Sequence, residues 1–147
     1  MIKIFWIFIV LLAGAFLPIQ AGLNAKLGKA AQSPVYASLI SFLVGVVALI
    51  VYILATTQTI SWSGLKAAPP YTWSGGILGA FYVTVVVLAF PRIGPAMTFG
   101  LLVLGQMVVS MLMDHFNLLV MQQQAINPWR ILGVILIVSG VVIIRKF

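Results

Sequence analysis

The chain has 147 residues, 63% of them hydrophobic and only 6% charged, and it holds no cysteine. A soluble domain carries about a quarter charged residues, so this composition excludes a water-exposed fold and leaves the bilayer as the solvent; the missing cysteine excludes a disulfide framework, a thiolate nucleophile and a zinc–thiolate site. The formal charge of +7 comes from eight Lys and Arg against one acidic residue, and because these cations stand singly between apolar runs they make no nucleic-acid-binding face.

An apolar run of about 20 residues crosses the hydrocarbon core as a helix, and the chain contains five. The first covers residues 4–22. Its start, MIKIFWIFIVLLAGAFLPIQAG, has the basic, apolar and small-residue order of a signal peptide. Four more spans follow, so the run is expected to stay in the membrane rather than deliver an exported domain. Pro18 frees a backbone carbonyl one turn earlier, around Gly14. Gln20 and Asn24 follow it, four residues apart. A broken membrane helix is tolerated where its backbone lines a cavity, which makes Pro18, Gln20 and Asn24 candidate substrate contacts. The competing reading is a helix end with a kink.

The second span covers residues 35–55 and is entered through Ser33-Pro34, a helix-start pair. After a connection over residues 56–72 comes the third span, residues 73–90. Tyr82 is its candidate for the same cavity, with packing and an interhelical hydrogen bond as the alternative. PRIGP, residues 91–95, reads as a tight hairpin with Arg92 at its tip. That placement suits topology and headgroup contact, or attraction of anionic solutes at a cavity mouth.

The fourth span covers residues 95–116. Gln106, Ser110 and Asp114 are spaced i, i+4, i+8 and share one helix face, with Asp114 about 12 Å further along than Gln106. This stripe runs from the midplane to one mouth and is read as pathway lining, against the alternative of an interhelical hydrogen bond. Asp114 and His115, the one acidic residue and the one histidine, end the helix. Helix C-terminal carbonyls favour a histidinium and disfavour a carboxylate, so Asp114 wants a basic partner, with Lys3, Lys66 and Arg130 on its side. Histidine can couple to protons near neutral pH. Near the interface, however, the pair reads first as an ion pair or cap that closes one end. A connection over residues 117–128 leads to the fifth span, residues 129–144.

Trp62, Trp73 and Trp129 lie near span ends, where indole rings favour the headgroup level. Ser41 and Gly45, Gly75 and Gly79, and Gly133 and Gly140 recur at helical spacing. Such small-residue faces let helices approach closely in lipid, and the fifth helix is a candidate self-association seam.

Five spans place the termini on opposite sides. Lys3, Lys66 and Arg130 fall on the N-terminal side, and Lys26, Lys29, Arg92, Arg145 and Lys146 on the other. Three against five is a weak positive-inside bias; it favours a cytoplasmic C-terminus and permits insertion both ways. A chain that inserts both ways can pair with its inverted copy, as inverted-repeat transporters do within one chain.

LPIQAGLNAKLG (residues 17–28), SPVYASLISFLVG (33–45), GGILGAFYV (75–83), PRIGPAMTFGLLVLGQ (91–106) and DHF (114–116) together resemble the YdcZ-type family of the drug/metabolite transporter superfamily, described as inner-membrane exporters. The likeness runs from about Ala13 into the fifth helix. It implies an all-α membrane protein: one five-helix transmembrane domain, residues 1–147, that is half of a ten-helix inverted-repeat transporter in the bacterial inner membrane.

The resulting expectation is a small-molecule secondary transporter, working as an antiparallel or otherwise paired dimer, with substrate between the first four spans near the midplane. A passive channel and a non-transporting membrane subunit are the alternatives. No carboxylate lies deep in any span, so neutral or anionic substrates fit better than cations. No enzyme, metal or cofactor is expected, because there is no acid pair and the one histidine has no ligand partners.

Overall fold

The computed structural model of the protein describes residues 2–120 and 122–146. Among these the fold is all-helical: α1 (Ile2–Ala30), α2 (Pro34–Ala55), a short α3 (Trp62–Ala67), a 3₁₀ turn (Pro70–Ser74), α4 (Gly75–Ile93), α5 (Pro95–Phe116) and α6 (Pro128–Lys146). Five helical stretches are long and apolar enough to cross a membrane: Ile2–Ala30, Pro34–Ala55, Pro70–Ile93, Pro95–Phe116 and Pro128–Lys146.

Two of the expected boundaries are corrected. The first helix does not end near Gly22 but continues through Pro18 to Ala30. Ala, Leu and Lys dominate the added turns and are good helix formers, so the helix continues past the end of the apolar run. The PRIGP connection is also shorter than expected. Pro91 and Arg92 lie in the last turn of α4, and Pro95 is already the first residue of α5. The connection between them is Gly94, whose φ of 81° suits a residue without Cβ. Arg92 therefore stands on the helix rather than at a loop tip, and its guanidinium donates to the Leu88 carbonyl at 2.6 Å.

Local chemistry fixes the other ends. Ser33 caps α2 by accepting the Tyr36 N–H, with Pro34 at the first helical position. Ser61 accepts the Gly64 N–H at 3.2 Å and starts α3 inside what the sequence reads only as a connection. Asn117 ends α5 in the left-handed conformation.

The helices fall into two compact units, one up to Arg92 and one from Ile93 onward. In the first, α1 and α2 pack along a seam of small residues. Ala21, Asn24 and Gly28 of α1 are buried, as are Ala37 and Ser38 of α2. A Cβ on Gly28 would lie 3.4 Å from Pro34 Cα and 3.6 Å from Ala37 Cβ. Within this unit α4 touches α1 through Val87 beside Gly28 and Phe90 beside Gly22. In the second unit α5 packs on α6, and Gly100 makes the closest approach: a Cβ there would meet Val141 Cγ2 at 2.8 Å.

The buried hydrophobic residues are Ala21, Ala37, Val86, Val87 and Val141, while Phe, Ile, Leu and Trp side chains stand exposed along every span. That is the inverse of a soluble core and is what an acyl-chain solvent favours. Lipid gives no hydrophobic drive for helices to associate, so close contact between small residues does that work. The glycines closest to a neighbouring helix are Gly100 and Gly28, followed by Gly22 beside Phe90 and Gly79, expected on a packing face, beside Phe42 at 3.8 Å. Gly45, Gly75, Gly133 and Gly140, expected on packing faces, have open space where a Cβ would stand.

Candidate functional site

In the first unit the expected polar contacts separate. Asn24 is 6% exposed, and its Nδ2 donates to Ser41 Oγ across the α1–α2 seam at 3.2 Å. Its amide is thus an interhelical hydrogen bond in place, while Ser41 is more than the small packing residue its spacing suggests. Ser38, also buried, donates to the carbonyl of Pro34 at 3.0 Å on its own helix. Gln20 lies one turn before Asn24 but is exposed, and its side chain has no hydrogen-bond partner among the described residues. It lines a cleft of about 280 Å³ between α1 and α2 with Ser41, Phe42 and Gly45. Tyr82 is half-buried on α4.

Pro18 lines a different and larger opening of about 520 Å³, bounded by Gly22, Leu23, Lys26 and Lys29 of α1 and by Phe90 of α4. The helix runs on through Pro18, which has no N–H to offer the carbonyl one turn earlier, and its ring forms part of the apolar wall. Lys26, Lys29 and Phe90 were missed as site residues. The two lysines read as topology signals. Nothing in the one-dimensional pattern says that the Phe90 ring lies over Gly22.

In the second unit the i, i+4, i+8 stripe divides in the same way. Gln106 is exposed and has no hydrogen-bond partner among the described residues. Ser110 lines an α5–α6 cleft of about 320 Å³ with Met107, Arg130, Gly133 and Ile137. Asp114, at the end of the stripe, is closed off: its Oδ2 accepts from Arg130 Nη2, with the two side chains 26% and 27% exposed. Of the three cations expected on its side, Arg130 is the one that pairs with it, just beyond the next connection.

That connection is tied down around the pair. Arg130 Nη1 donates to the Gln124 carbonyl at 2.9 Å, and the Gln124 N–H donates to the Asp114 carbonyl at 3.1 Å. Gln123 Nε2 donates to the His115 carbonyl at 2.7 Å, and the Ile126 N–H donates to His115 Nδ1 at 3.2 Å. An imidazole nitrogen that accepts a hydrogen bond carries no proton, so in this arrangement the ring hydrogen belongs on Nε2. The Asp114 and His115 carbonyls, left free at the C-terminus of α5, are thereby satisfied by the chain that follows them.

What the geometry offers chemically is two amides without a partner among the described residues, Gln20 in the α1–α2 cleft and Gln106 exposed on α5, and, in the first unit, one apolar cleft rimmed by lysines. Residues 5–143 match the protein family described as "Putative inner membrane exporter, YdcZ". "Inner membrane protein YdcZ" of Escherichia coli (strain K12) is 29% identical over 107 residues, which cover 71% of this chain and 71% of that protein. No solved structure matches the chain. With five helices capable of spanning, the protein is a multi-pass protein of the bacterial inner membrane.

Proposed function

We propose that this chain, which belongs to the YdcZ family of inner-membrane exporters, is a secondary transporter that moves a neutral or anionic small molecule. Its 147 residues act as one five-helix domain, half of a ten-helix inverted-repeat carrier. The other half is a second copy inserted the opposite way or a related chain. Each unit offers the substrate polar groups of its own: the Gln20 amide and Tyr82 in the first, the Gln106 amide and Ser110 in the second.

The observation that carries this reading is the state of those two amides. A polar group facing acyl chains without a partner costs several kcal/mol. Gln20 and Gln106 stand exposed on membrane helices with no partner in the described chain, so their neighbour is a second protein surface or a watered cavity. Asn24 shows the alternative: buried against Ser41, it is satisfied internally and serves as structure. Cationic substrates are disfavoured because Asp114, the chain's one acidic side chain, is held by Arg130.

The test is protection of an efflux-deficient strain against a panel of toxic neutral, anionic and cationic compounds. Expression should protect against neutral or anionic members, with uptake into inverted vesicles that saturates. Gln106→Ala should keep membrane abundance and lose protection. Flux that never saturates would instead identify a pore, and protection confined to quaternary ammonium compounds would overturn the assignment of substrate charge.

A further inference from the structure

The cleft between α1 and the end of α4 is ordered along one helix face from apolar to cationic. Pro18, Gly22 and Leu23 lie deep, and Lys26 and Lys29 follow one and two turns later. Depth gives that order a meaning. With 29 residues, α1 is about 43 Å long, against a hydrocarbon core of about 30 Å. The apolar run ends near Gly22, ahead of both lysines, so the excess length places the final turns of α1 at the headgroup layer, with Pro18 about 12–16 Å before the lysines along the axis. Phe90 forms the facing wall, close enough that a Cβ on Gly22 would lie 3.6 Å from its ring. Both lysines are exposed and have no ion-pair partner among the described residues. Arg92, nearby in sequence to Phe90, does not line the cleft and is bonded to its own helix at Leu88.

We infer that this cleft holds one anionic phospholipid of the adjoining leaflet, with its phosphate between Lys26 and Lys29 and an acyl chain against Pro18, Leu23 and Phe90. Two cations at headgroup depth above an apolar slot match an amphiphile whose charge and hydrocarbon are separated in the same order. A water-soluble phosphate would use the lysines but not the slot, and a zwitterionic lipid would fill the slot while presenting its own cation to the lysines. The bound lipid belongs to the fold's membrane anchoring on this side and does not depend on which solute the chain moves.

The experiment uses the purified full chain in neutral detergent, titrated with phosphatidylglycerol or phosphatidylcholine and read by native mass spectrometry as lipid retained per chain. Phosphatidylglycerol should bind at one preferred site and more tightly than phosphatidylcholine. The double variant Lys26→Gln, Lys29→Gln should weaken phosphatidylglycerol by about thirtyfold, to the level of phosphatidylcholine. Lys66→Gln, which removes an exposed lysine on α3, should change nothing, and the double Lys→Arg variant should bind as the native chain does. Gly22→Leu should weaken both lipids by filling the slot without altering charge. Undiminished phosphatidylglycerol retention by the double Gln variant overturns the site. So does equal loss in Lys66→Gln, loss in the Arg variant, or full displacement of the lipid by glycerol phosphate.

Discussion

Two polar regions of this chain behave in opposite ways. Around the end of α5, Asp114, His115, Gln123, Gln124 and Arg130 satisfy one another within a single turn of chain. Along the spans, Gln20 and Gln106 have nothing within the described residues to bond. The first arrangement finds partners within the chain itself. The second is stable in a bilayer when something else supplies the partners. A polar residue in a membrane helix is therefore informative about function to the extent that the chain leaves it unsatisfied, and Asn24, bonded to Ser41, belongs with the first group despite its place beside Gln20.

This contrast can be broken by mutation. The largest loss of stability is expected from Arg130→Ala, which strands the Asp114 carboxylate and releases the Gln124 carbonyl. For a partly exposed pair that loss is about 2 kcal/mol, read by denaturant unfolding in detergent, and Asp114→Asn in the same background should recover part of it. An unfolding free energy equal to that of the native chain would show that the turn is decoration. Gly100→Ala comes next, at about 1.5 kcal/mol, because the new methyl meets the stiff, β-branched Val141; Gly45→Ala, with open space around it, should be silent. Asn24→Ala should cost about 0.6 kcal/mol, the usual worth of an interhelical hydrogen bond in a membrane. The smallest stability effects, within about 0.5 kcal/mol, belong to Gln20→Ala and Gln106→Ala. These two should nevertheless reduce flux about tenfold or more, one lost hydrogen bond to ligand or pathway. A stability loss from them as large as that of Asn24→Ala would move them into the structural group.

The five spans are legible because each is a run of apolar residues closed by Pro, Gly or a cation, and lipid enforces that pattern residue by residue. The end of α1 is not, because the apolar run closes near Gly22, whereas the helix stops at Ala30. Prolines mislead in the same way at PRIGP: Pro91 fits inside a last helical turn and Pro95 in a first one, leaving Gly94 alone as the link. Helical spacing correctly groups residues on a face but does not say which helix that face meets. Hence Asn24 reads as cavity lining until Ser41 is found opposite, and Phe90 gives no sign of its place over Gly22. Asp114 is a middle case. Its need for a cation follows from charge and helix polarity, and Arg130 meets it because the intervening connection turns back on itself.

The central claim is that the chain works with a partner inserted the opposite way, and orientation tests it most directly. The chain has no cysteine, so a single cysteine added after Phe147 is a clean reporter for a membrane-impermeant maleimide, applied to intact and then to permeabilised cells. An identical-chain antiparallel dimer predicts that about half of the reporter reacts from outside before permeabilisation. Reaction from one side alone would contradict that dimer, and the opposite half of the carrier would then have to be a different chain.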